Sequence, residues 1–159
     1  MVFAQIGSSP GTYVLILRAL ANRKIVIGKL GILKVCQGFY LYVGSAFGPG
    51  GLRARIRHHF NKLESPHWHI DYLRAGVQVK EVWFSHDPLH RECAWAKILG
   101  VTDGASIPLK GFGASDCGCP SHLFYVESPS GLLGCRRRIR EDFPGHHPVN
   151  FVKVPGLDA

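Results

Sequence analysis

The chain has no apolar stretch long enough to cross a bilayer. The apolar run at residues 13–17 stops at Arg18, and no signal-peptide pattern precedes it. A soluble cytoplasmic protein with no membrane partner is therefore expected. Acidic residues are also scarce. Against 19 Lys+Arg there are 11 Asp+Glu, which leaves a net charge of +8 and a pI near 9.5. That excess favours polyanionic partners through the summed field and through counterion release. A solvated basic surface with no partner is the plainer alternative. The five cysteines, Cys36, Cys93, Cys117, Cys119 and Cys135, form an odd set without a secretory signal, which argues against a disulfide framework. Cys36 and Cys93 lie in apolar contexts and read as packed thiols. There is no internal repeat and no firm domain boundary. At 159 residues and 46% apolar content, the chain is one domain with a proper core, neither disordered nor fibrous.

The pattern along the chain predicts an α+β domain, with a small, mainly antiparallel sheet flanked by helices. Residues 11–17 form a continuous apolar run rich in β-formers and read as a central strand. Residues 24–28 and 32–36 flank Leu30-Gly31 as an inserted hairpin, and 39–45 is the next core strand. Gly48-Pro49-Gly50-Gly51 is a loop and helix-entry signal, followed by a helix over 51–61. A short helix over 67–74 begins behind Pro66, and 77–85 alternates as a third strand. Asp87-Pro88 is an N-cap and first-turn pair for a helix reaching Leu99. Residues 101–121 read as a long loop and 122–127 as a last strand. Beyond them lie the basic run at 135–140 and a loosely ordered end.

Chemistry concentrates on the helix over 51–61. Arg55 and His59 are four residues apart and share one face, beside an apolar stripe of Leu52, Ile56 and Phe60. A guanidinium neutralises phosphate, and an imidazole moves protons near neutral pH, so the pair suits phosphodiester chemistry. Arg53 and Arg57 lie one turn apart on another face and suit flanking phosphates, as does the basic run containing Arg136, Arg137 and Arg138. On the expected helix from Pro88, Glu92 shares an inward stripe with Leu89, Cys93, Ala96 and Leu99. A carboxylate so placed needs a buried arginine or a cation.

Gly11-Thr12-Tyr13, Tyr42-Val43-Gly44 and the Arg55/His59 helix together resemble a GIY-YIG nuclease domain. The stretches His67-Trp68-His69-Ile70-Asp71-Tyr72-Leu73 and Gly111-Phe112-Gly113-Ala114-Ser115-Asp116-Cys117 resemble, more narrowly, a subgroup of that family sometimes attached to DNA-repair enzymes. The likeness covers residues 11–127, with 1–10 a lead-in and 128–159 a basic extension packed on, or trailing from, the same domain.

The resemblance implies a divalent-metal-dependent endonuclease acting on nucleic acid, DNA ahead of RNA, with DNA-repair proteins as partners. It implies Mg²⁺ or Mn²⁺ on Glu92, a tyrosine base among Tyr13 and Tyr42, transition-state stabilisation by Arg55, and a hydrogen-bonding role for His59. Tyr40 has the same strand parity as Tyr42, so parity leaves it on the same face. Two departures stand out. The segment between the two motif tyrosines is longer than the family's brief hairpin. The family's late asparagine has no well-placed counterpart, with Ser115 and Asp116 as available stand-ins.

Cys117, Cys119 and His122 offer soft ligands close together and invite a zinc reading, with His67 and His69 in addition. A structured loop with turn hydrogen bonds from Ser115 and Asp116 is the preferred alternative, because only one tight cluster is present. The rival functions are a non-catalytic nucleic-acid-binding module on the same fold and a zinc-stabilised scaffold.

Overall fold

The computed structural model describes residues 2–61, 65–141 and 145–154. A 3₁₀ turn, Val2–Gln5, leads into strand β1 (Gly11–Ala19). The hairpin β2 (Arg23–Ile27) and β3 (Gly31–Val35) follows, then β4 (Gly38–Ala46), helix α1 (Gly51–Phe60) and helix α2 (His69–Arg74). The second half runs through β5 (Gln78–Ser85), α3 (Glu92–Gly100), β6 (Ala105–Ser106), β7 (Leu123–Val126), α4 (Pro129–Glu141) and β8 (Asn150–Lys153). The fold is α+β. Six strands form one antiparallel sheet in the order β6-β7-β4-β1-β5-β8, and β2-β3 forms a separate two-stranded sheet.

The continuous apolar run of β1 is explained by its place in the middle of the sheet, covered on both faces. Tyr13, Leu15 and Leu17 project into a core shared with α1, α2 and the β2–β3 hairpin. Val14 and Ile16 project into a second core with Trp95 and Leu99 of α3 and Cys135 and Ile139 of α4. A two-sided strand leaves no polar face and so loses its alternation. The inserted hairpin packs Ile27 and Leu33 into the first core and sets Gly28 against the Tyr72 ring of α2.

Three expectations need correction. Helix α3 begins at Glu92, not at Pro88. Asp87 does cap, but it closes a tight turn, accepting from Leu89 N at 2.9 Å and from Arg91 Nη2 at 3.3 Å. Leu89 is therefore exposed and outside the helix, Trp95 takes the core position, and Glu92 sits at the rim.

The chain beyond 127 is also ordered over most of its length. Ser128 caps α4 by accepting from Gly131 N at 3.2 Å, Pro129 opens the helix, and β8 pairs with β5. Residues 155–159 lie outside the described residues. Finally, the loop over 101–121 contains β6, which pairs with β7 at the sheet edge. Among the described residues no helix is long and apolar enough to cross a membrane.

Candidate active site and a neighbouring cysteine cluster

The antiparallel register places Tyr13 opposite Gly44 and Leu15 opposite Tyr42. Alternation then puts both tyrosines on the face that α1 covers. Leu52 and Ile56 anchor α1 there, fully buried, and bring His59 over the strands. The Tyr13 hydroxyl lies 2.6 Å from Nε2 of His59. The Tyr42 and His59 ring centres are 6.2 Å apart. Gly44 lets the tyrosine lie this close to the strand, because a Cβ there would meet the Tyr13 hydroxyl at 2.4 Å. Tyr40 shares the face but not the site. Its hydroxyl accepts from Cys36 N at 2.8 Å, and its ring packs on Tyr125.

Arg55 lies over the Trp68 ring, 4.5 Å from its centre. Glu92 belongs to the opposite helical layer, yet as the first residue of α3 it reaches Ser45 on β4, whose Oγ donates to Oε2 at 2.9 Å. A pocket of about 300 Å³ is lined by Tyr42, Ser45, Arg55, Trp68, Glu92 and Asp116, among others. Tyr13 and His59 lie beneath it, with Tyr13 against the pocket residue Gly44.

Burial dominates the titration of this site. It raises both phenols above the ordinary tyrosine range; Tyr42 raises Tyr13 further, the Glu92 charge adds to both, and Arg55 opposes them. Burial also lowers His59 to about 3, helped by His58 and Arg74. Glu92 goes the other way. Burial would raise it, but the contacts from His122 and Ser45 and the charge of Arg55 outweigh that, and the carboxylate stays ionised.

The two longer motifs meet at this pocket. Gly113 N donates to Nδ1 of His69 at 2.9 Å, which ties the 111–117 segment to the start of α2. Gly113 has φ +67, and a Cβ there would also meet the Tyr42 ring at 2.9 Å. Asp71, the third residue of α2, accepts from His67 N at 2.9 Å and Trp68 N at 2.8 Å. Its other oxygen faces His58 and Arg74. Trp68 and Ser45 had not been marked as site residues, and His122 had been marked only as a possible zinc ligand. Trp68 and His69 lay inside a recognisable motif, but nothing in the sequence marked Ser45.

Sequence separation conceals one further grouping. The ligand atoms of Cys93, Cys117, Cys119 and His122 all lie within 4.8 Å of one another, a set that could hold a metal ion. Cys93 is therefore part of a cluster rather than a separate packed thiol, and Cys36 is exposed rather than packed. His67 and His69 do not join the cluster.

The remaining arginines are dispersed. Arg53 donates Nε to the Ile6 carbonyl at 2.8 Å, and Arg57 lies over Phe3. Arg136 stacks on Phe151 of β8, 4.1 Å from the ring centre, and Arg137 and Arg138 accompany it on α4, across the sheet from α1. None of these five lines the pocket.

A family model described as domain of unknown function DUF123 matches residues 12–143. No curated protein and no solved structure matches the chain.

Proposed function

The chain belongs to this DUF123 family of GIY-YIG-like domains, and from that premise we propose that it is a divalent-metal-dependent endonuclease hydrolysing phosphodiester bonds in nucleic acid, DNA ahead of RNA. One observation carries the reading. Tyr13, Tyr42, Arg55, His59 and Glu92 come from β1, β4, α1 and α3, yet they converge on or directly beneath one pocket. A packing accident has no reason to gather a guanidinium, an ionised carboxylate and two phenols from four elements.

Tyr13 is the better base. Among the described residues His59 Nδ1 has no hydrogen-bond partner, and an orphaned lone pair is tolerated better than an orphaned N–H. The Nε2 nitrogen therefore carries the proton and donates to the Tyr13 oxygen, which Arg55 also reaches. Two donors aimed at one phenol oxygen stabilise the phenolate that would take a proton from water. His59 does not store that proton. Burial lowers the imidazole and raises the phenol, so moving a proton from Tyr13 to His59 runs uphill. Arg55 is then free to meet charge building on the phosphate.

The residues present fit a hard cation. Glu92, Asp116, Ser115 and Ser45 supply oxygen donors around the pocket. Mg²⁺ or Mn²⁺ held by Glu92 would supply Lewis-acid stabilisation of the phosphate oxygens. Zinc suits the neighbouring thiols of Cys117 and Cys119 and the imidazole of His122 rather than this carboxylate. Partnership with DNA-repair proteins and a cytoplasmic location belong to the same proposal.

The deciding experiment incubates the protein with linear, flapped and branched DNA and RNA, with and without Mg²⁺. Cleavage should require the metal. Glu92→Gln should abolish it while folding and binding persist. Arg55→Ala should slow it about a hundred- to a thousandfold. Binding without cleavage under every divalent metal would transfer the assignment to a non-catalytic nucleic-acid-binding module.

A further inference from the structure

We infer that Cys93, Cys117, Cys119 and His122 form a structural zinc site that pins the 107–122 segment to the first turn of α3, with Glu92 as the carboxylate that orients the zinc-binding histidine. The inference stands apart from the nuclease reading, since none of its measurements uses cleavage.

The first argument is geometric. Tetrahedral zinc, with Zn–S bonds of about 2.3 Å and Zn–N bonds of about 2.0 Å, sets its ligand atoms roughly 3.3–3.8 Å apart. The four atoms here already lie within 4.8 Å of one another. Closing the site requires these atoms to draw together by about an ångström.

The ligand chemistry points the same way. Three thiols and an imidazole are a soft set that selects zinc over Mg²⁺, and four protein ligands leave no open position. Cys93 supplies its ligand from the second position of a helix, whereas Cys117, Cys119 and His122 come from a segment without helix or strand. That segment runs from the end of β6 to the start of β7, unusually long for irregular chain inside a compact domain. Its own ties include Gly111 N to Pro120 O at 2.7 Å and His122 N to Phe112 O at 2.8 Å. A metal cross-link to α3 accounts for how it keeps its shape.

His122 completes the case. It is 2% exposed, its Nε2 lies 3.3 Å from Cys117 Sγ, and its Nδ1 lies 2.8 Å from Oε1 of Glu92. A histidine bound to metal through one nitrogen turns its other N–H toward a carboxylate, which fixes tautomer and ring orientation. The same Cys117–His122–Glu92 order would suit a thiol nucleophile. Cys93 and Cys119 crowd the sulfur, however, and make it one ligand among four. Gly113, Ser115 and Asp116 of this segment also wall the pocket, so the zinc would hold that wall in place.

The test uses the full chain, purified under reducing conditions without chelator. Elemental analysis should find one zinc per molecule. Cobalt exchanged into the site should give the thiolate charge-transfer band and the intense d–d bands of a tetrahedral centre. Cys119→Ser should weaken retention, and Glu92→Ala should lower zinc affinity about ten- to a hundredfold. Should a variant fail to fold, the wild-type cobalt spectrum still decides. Protein that retains no zinc when it is supplied, and gives cobalt no thiolate band, overturns the inference. Fewer than five titratable thiols in the denatured, metal-free chain would overturn it too, by revealing a disulfide within the cluster.

Discussion

His59 shows how far environment can move a single residue. It is buried, and its neighbours are Arg55 and His58 on α1, Tyr13 on β1, Tyr42 on β4, and Trp68, Asp71 and Arg74 at α2. Desolvation and the surrounding cations hold it neutral down to about pH 3, while in the unfolded chain it titrates near 6.5. Below pH 6.5 the unfolded state therefore binds a proton that the folded state refuses. Stability conferred by neutral His59 is complete above about 6.5 and is lost as pH falls toward 3, by up to about 1.4 kcal/mol per pH unit. Urea titrations at pH 7, 6, 5 and 4.5 should show this slope in wild type and a shallower one in His59→Gln. Equal slopes would place the histidine in contact with water. The window above 4.5 keeps Asp71 out of the measurement, since its carboxyl is already held below the usual range.

At the scale of elements, α2 depends on one carboxylate. The helix runs only from His69 to Arg74, too short to persist by propensity. Asp71 stabilises it from inside the core, accepting from the amides of Trp68 and His67 just ahead of the helix while its second oxygen faces Arg74 and His58. Asp71→Ala should lower stability by about 3 kcal/mol, because it leaves the largely buried Arg74 guanidinium without its anion. It should also raise hydrogen exchange across residues 67–74. A loss below half a kcal/mol would mean that Leu73 and Ile70 hold the helix alone. Helix α4 teaches a different lesson. Leu132, Cys135 and Ile139 were spaced to show a buried stripe. The density of arginine between them made the segment read as a basic run in a C-terminal extension rather than as a helix.

Considered whole, the molecule sets two arginine groups on opposite sides of its sheet. Arg53 and Arg57 lie on α1 beside the pocket layer, and Arg136, Arg137 and Arg138 lie on α4 across the sheet. On the proposed function, a nucleic acid held at the pocket would lie on the α1 side of the sheet, so the two groups should contribute unequally to binding. Affinity should fall steeply with salt. Arg57→Ala should reduce the slope of log K against log salt by about 0.9, and Arg137→Ala should leave it unchanged. The opposite pattern would move the contact surface to α4. A salt-independent affinity would remove both groups from it.

Residue order alone determined the central strand, the inserted hairpin, the helix carrying Arg55 and His59, and the α+β class. Each of these rests on local periodicity, turn chemistry or a contiguous motif, all of which a linear pattern records. The start of α3 was misplaced because Asp87 can cap a turn as readily as a helix. Only packing against Trp95 and the contact of His147 N with Asp87 at 2.9 Å chose the turn. Strand β8 went unread because an edge strand takes its identity from the partner it pairs with, here β5. Tertiary structure alone decided that Glu92 would reach round β4 to Ser45 and His122, and that Cys93 would join cysteines more than twenty residues away. Side chains that meet through space leave no spacing rule in the chain, so proximity of this kind exists only once the sheet and its two helical layers have closed.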